Sequence, residues 1–178
     1  MENRKIRVGI THGDINGVGY EVILKTFSDP TMLELCTPVV YGSPKVAAYH
    51  RKAMEIQTSF SIVNSAEEVQ DGRVNVVNCI EEELKVELTK PTPEAGKAAL
   101  AALERALTDY REGLFDVLVT APINKHTIQS DAFHFPGHTE YIEERVGEGQ
   151  KALMILLKGD FRVALVTGHV PCATLPVN

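Results

Sequence analysis

The chain has 178 residues, 44% of them hydrophobic and 24% charged, with a formal net charge of -6. That is enough for one domain with a sizeable core, or for part of a larger two-domain protein. The acidic balance argues against a general nucleic-acid binder, and no run approaches the ~18 apolar residues that a membrane span needs. The opening MENRKIRVGI is polar and then strand-like, so a cytoplasmic location is the expectation. Cys36, Cys79 and Cys172 are odd in number and widely spaced, which fits reduced thiols better than a disulfide framework.

In chain order, Lys5 to Ile10 reads as a first strand, THGDINGVG as a Gly-rich loop, and Tyr20 to Phe27 as a helix. Pro38 to Tyr41 is a short buried strand. Ser43-Pro44 has the N-cap and first-turn chemistry of a helix reaching about Met54. Phe60 to Val63 and Arg73 to Val77 are two further short strands. Thr92-Pro93 opens the longest helix, to about Gly113, with Ala95, Ala99, Ala102, Ala106 and Tyr110 on one face. Asp116 to Val119, Met154 to Leu157 and Val163 to Val166 read as three more buried strands. Strands alternating with helices predict an α/β fold with a largely parallel or mixed sheet. The chain stops soon after its last strand, and the expectation is that it is the amino-terminal portion of a longer polypeptide.

Three polar blocks follow strands, where open α/β sheets bind ligands, and a fourth places a histidine after a Pro-Gly turn. In THGDINGVGYE, Gly13, Gly17 and Gly19 could bring backbone amides to an anion at a helix start. Alternatively the loop is a structural turn in which Asp14 caps local amides. In TAPINK, Thr120, Asn124 and Lys125 stand at a strand end, and Lys125 is either a contact for phosphate or carboxylate or a solvated lysine. His126 and His134 are read as surface residues. In FPGHTEY, Gly137 precedes His138 and Thr139, and Glu140 suits a helix start. In VTGHVP, Thr167, Gly168 and His169 end a strand, and a neutral His169 imidazole suits a divalent metal, although one histidine completes no site.

Together and in this order, the blocks THGDINGVGYEV, TAPINK, FPGHTEY and VALVTGHVP resemble those of the 4-hydroxythreonine-4-phosphate dehydrogenase family of pyridoxal phosphate biosynthesis. Ile15 and Tyr20 replace two prolines common in the family's first motif. The resemblance implies an isocitrate/isopropylmalate dehydrogenase-like fold, a three-layer sheet with helices on both faces, incomplete in this chain. It implies a cytoplasmic homodimer with shared active sites. The reaction implied is NAD-dependent oxidation of 4-phosphohydroxy-L-threonine and decarboxylation to 3-amino-2-oxopropyl phosphate, with a divalent metal of the zinc, magnesium or cobalt class.

By motif match, His138 and Thr139 bind substrate, Lys125 and Asp14 serve its phosphate or carboxylate region, and His169 ligates metal. Family members are nearly twice as long and use three metal-binding histidines. Two of these would lie beyond Asn178. The alternatives are a related dehydrogenase for erythronate or threonate phosphate, and a non-catalytic metal- or phosphate-binding module if the chain ends at Asn178.

Overall fold

A computed structural model of the chain describes residues 4–167. It forms two units, Met1–His138 and Thr139–Asn178. The first carries β1 (Ile6–Thr11), α1 (Gly19–Thr26), α2 (Pro30–Leu35), β2 (Cys36–Gly42), α3 (Pro44–Ala53), β3 (Phe60–Val63), β4 (Val74–Asn78), α4 (Pro93–Arg111) and β5 (Val117–Thr120). All five strands pair in parallel, in the order β3-β4-β2-β1-β5.

Helices cover both faces of this sheet. On one, Ile10, Val40, Val74 and Val76 pack with Ile23 and Phe27, from α1 and its C-cap, and with Val46 and Ala47 from α3. On the other, Val39, Tyr41 and Val77 pack with Ala102 and Ala106 from α4. Alanine at these positions lets α4 approach the sheet closely. A buried network ties the same helix down: Tyr41 Oη donates to Asp109 at 2.9 Å, and Arg105 Nε donates to the other carboxylate oxygen at 2.9 Å.

Three helices start alike. Ser43, Thr92 and Asp29 are N-caps, each followed by proline in the first turn, and each side chain accepts a backbone amide of that turn. Such caps satisfy donors that lack intrahelical partners. The first two agree with the sequence reading. The Asp29-Pro30 helix is additional, and its cap chemistry is the signal that would have found it.

The expectation of three buried strands is corrected. β5 is an edge strand, with Val117 and Val119 exposed on the face they share with Val8 and Ile10. In the second unit, β6 (Met154–Lys158) and β7 (Phe161–Leu165) pair antiparallel as a two-stranded sheet. Met154, Ile155, Leu156, Leu157, Phe161 and Val163 are all exposed. An apolar run reports only what a strand is able to bury, and here no layer of the described residues covers either face. The second unit also holds the body of α5 (His138–Val146). Among the described residues no helix is long and apolar enough to cross a membrane.

Candidate functional site

From β1 the chain steps to β2 on one side, and later returns through α4 to β5 on the other. Such a reversal opens a crevice at the carboxyl ends of the two diverging strands, the usual ligand position in open α/β sheets. The Thr11–Gly19 and Thr120–Ile128 loops leave β1 and β5 at that crevice.

The two loops are bonded together. The Asp14 amide donates to Pro122 O at 2.9 Å, and the Ala121 amide donates to Thr11 O at 3.1 Å. Gly13 adopts φ +71°, and a Cβ there would stand 2.3 Å from Pro122 O. Glycine therefore meets both a left-handed backbone and a close chain crossing.

Every other side of the Thr11–Gly19 loop is anchored too. His12 Nε2 donates to Ala98 O on α4 at 3.1 Å, and His50 Nε2 on α3 donates to Ile15 O at 2.8 Å. A carbonyl only accepts, so both rings carry their proton on Nε2. Asn16 Nδ2 donates to Lys90 O and Thr92 Oγ1, while its Oδ1 accepts the Glu87 amide. The Asp14 carboxylate accepts the Asn16 amide at 2.9 Å, and Gly17 donates its amide to Asp14 O at 3.0 Å. Of the two readings of this loop, the bonding pattern matches the one in which Asp14 caps local amides. The Gly17 amide is already spent inside the loop.

Asp14, Gly17 and Val18 are the loop residues that reach solvent. Burial pushes His12 down to about 4, against the weaker opposing effect of its bond to Ala98. Burial likewise lowers His50.

In the second loop, Asn124 Oδ1 accepts the amides of His126 at 3.0 Å and Thr127 at 3.2 Å, which closes a turn with Lys125 at its exposed tip. His138 is half-buried, and its pKa lies below the ordinary histidine value. Burial is the larger cause, and the positive charge of Lys125 is the second. The structure thus brings Lys125 and His138 into electrostatic reach of each other, and bonds the Asp14 loop to the Lys125 loop. His126 and His134 are exposed, as expected. Thr139 is exposed and belongs to the second unit. His169 and Cys172 lie outside the described residues. Sequence reasoning missed Asn16, His12 and His50, whose partners are remote in sequence.

The Asp14 loop bonded to the Lys125 turn, with Lys125 acting on a neutral His138, suits a small anionic substrate bearing hydroxyl groups. Among the described residues no cluster of three or more His, Cys, Asp or Glu side chains could hold a metal ion. The described donor set therefore does not by itself complete a divalent-metal site.

A parallel α/β sheet with helices on both faces and polar strand ends defines an open, doubly covered α/β class. The structure of a 4-hydroxythreonine-4-phosphate dehydrogenase from Burkholderia phymatum matches 95% of this chain and 52% of its own, with TM-score 0.82 and 27% identity. The architecture is thus that of an isocitrate dehydrogenase-like α/β protein. The family model of the pyridoxal phosphate biosynthetic protein PdxA matches residues 34–178, and the chain belongs to that family.

A 4-hydroxythreonine-4-phosphate dehydrogenase from Bacteroides thetaiotaomicron is 75% identical over 96% of this chain and 47% of its own length. A relative from Oceanobacillus iheyensis, provisionally named a D-threonate 4-phosphate dehydrogenase, is 31% identical over 94% of this chain and 51% of its own. The chain spans about half the length of the curated relatives it matches.

Proposed function

We propose that the protein acts as a 4-hydroxythreonine-4-phosphate dehydrogenase. It oxidises 4-phosphohydroxy-L-threonine with NAD, and loss of carbon dioxide then gives 3-amino-2-oxopropyl phosphate. The observation that carries this reading is the 75% identity to the Bacteroides relative across nearly the whole chain. The strand-end placement of Asp14, and of Lys125 beside His138, supports it.

In this reading Lys125 offers a mobile positive charge to the phosphate. His138, held neutral by burial and by Lys125, accepts or donates a hydrogen bond at a substrate hydroxyl. Thr139 adds a second hydroxyl contact, and Asp14 pairs with the substrate's cationic amino end or orders the loop beside it. NAD supplies the hydride acceptor when bound. A divalent metal with His169 among its ligands would polarise the hydroxyl. The enzyme works in the cytoplasm as a homodimer.

The Oceanobacillus relative favours a second reading, a dehydrogenase for a 4-phosphorylated sugar acid such as threonate or erythronate phosphate. Parallel assays of NAD reduction with 4-phosphohydroxy-L-threonine, D-threonate 4-phosphate and D-erythronate 4-phosphate, each with and without a chelator, separate the readings. The first substrate should be turned over fastest, with loss of activity on chelation. Preference for a phosphorylated sugar acid would transfer the assignment to the second reading. Binding without NAD reduction would leave a non-catalytic phosphate-binding module.

A further inference from the structure

His50 sits in α3, 35 residues from the loop it touches, and is buried. Its ring stacks on Tyr20 at 5.5 Å with 27° between planes, and meets Tyr49 edge-on at 5.6 Å. These contacts fix the ring's orientation and aim Nε2 at Ile15 O, 2.8 Å away. Nδ1 has no hydrogen-bond partner among the described residues, so a proton there would be a buried, unpaired donor.

The bond to Ile15 has a second end. The Ile15 carbonyl and the Asn16 N–H belong to one planar trans peptide, with oxygen and hydrogen on opposite sides. That N–H donates to Asp14 Oδ1 at 2.9 Å. His50, the Ile15–Asn16 peptide and the Asp14 carboxylate therefore form one relay, in which each hydrogen bond polarises the next.

We infer that His50 is a positioning residue for Asp14: by holding one side of the Ile15–Asn16 peptide, it sets the direction and strength of the amide that caps the carboxylate. A side chain present only to fill space would leave Ile15 O unpaired in the core and let the peptide rotate. The inference deepens the proposed function and, in its consequence for substrate, rests on Asp14 being a substrate contact.

Three forms of the full chain test it: wild type, His50→Gln, which keeps a donor of similar reach, and His50→Leu, which removes it. Hydrogen exchange at the Asn16 amide should quicken about tenfold in His50→Leu, the equivalent of one neutral hydrogen bond. It should return towards wild type in His50→Gln. Equal exchange in all three forms, or equal loss in both variants, overturns the relay.

Should His50→Leu fail to fold, long-range proton–nitrogen NMR of the wild-type imidazole decides. An Nε2–H tautomer supports the relay, and an Nδ1–H tautomer overturns it. With 4-phosphohydroxy-L-threonine and NAD, KM should rise about tenfold in His50→Leu and recover in His50→Gln. An unchanged KM alongside altered Asn16 exchange removes Asp14 from substrate binding. Absence of wild-type turnover defeats the proposed reaction, while the exchange result stands on its own.

Discussion

Tyr20 Oη donates to Ser43 O at 3.0 Å and accepts the Ser43 amide at 2.8 Å, so one phenol closes both backbone groups of a single residue. Ser43 is the N-cap of α3, and Tyr20 stands in the first turn of α1. The pair thereby locks together the two helices that follow β1 and β2.

Tyr20→Phe keeps the ring but strands the buried Ser43 amide, while Ser43 O still accepts the Ala47 amide at 2.9 Å. One buried unsatisfied group costs about 1–3 kcal/mol, so the loss should be of that size. Urea denaturation would show it as a lower midpoint at unchanged slope. A loss under about 0.5 kcal/mol would mean that water replaces the phenol.

Gly96→Ala sets two effects against each other. Alanine in a helix normally gains about 1 kcal/mol over glycine. Here the new Cβ would stand 1.8 Å from Thr127 O, in the turn that carries Lys125. The clash should win by about 1–3 kcal/mol and push the turn away from α4. Thermal unfolding and limited proteolysis near Lys125 would report both. A stabilised variant would show that the turn yields freely.

Acid should weaken the fold before the carboxylates titrate. His12 takes up its proton near 6.5 in the unfolded chain and at about 4 when buried in the native one. Between those values the unfolded state binds more protons, so stability is full above pH 6.5 and falls as the pH drops towards 4. His12 alone contributes a slope of about 1.4 kcal/mol per pH unit across that window, and His50 adds to it in the same direction. His12→Gln retains a donor for Ala98 O and removes the titration. Its stability should therefore decline less steeply from pH 6.5 to 4 in chemical denaturation. An unchanged slope would mean that His12 is accessible to solvent.

Lys125→Ala tests the candidate site directly. Its charge opposes protonation of His138, so removing it should raise the His138 pKa towards the ordinary histidine value. Burial will keep some of the depression in place. An NMR titration of the His138 ring resolves the shift, and no change would separate the two residues.

Much of this was legible in the chain because it is local. Caps such as Ser43-Pro44 and Thr92-Pro93, and the alanine face of α4, act within a few residues, so sequence shows them. What covers a strand is decided elsewhere, which is why Val117, Val119 and the β6–β7 residues were expected inside and stand exposed. The same holds at the site. Tyr20 read as a replacement for a family proline, yet its ring contacts those of His12 and His50, at 5.3 and 5.5 Å. No spacing rule links positions 12, 20 and 50, because the sheet brings them together. The strand-end blocks were legible as a set, while the bonds that join Asp14 to Pro122 and His50 to Ile15 were not.

The strand order also sets a timetable for synthesis. Arg7, in β1, takes its amide partner from Asp116, 109 residues later. At ~5–20 residues per second, roughly 5–20 s separate the two on the ribosome. Through that interval β1 has β2 on one side and a bare edge on the other. An unpaired edge is a template for a neighbouring chain. The nascent protein is thus most open to mispairing while β1 waits for β5.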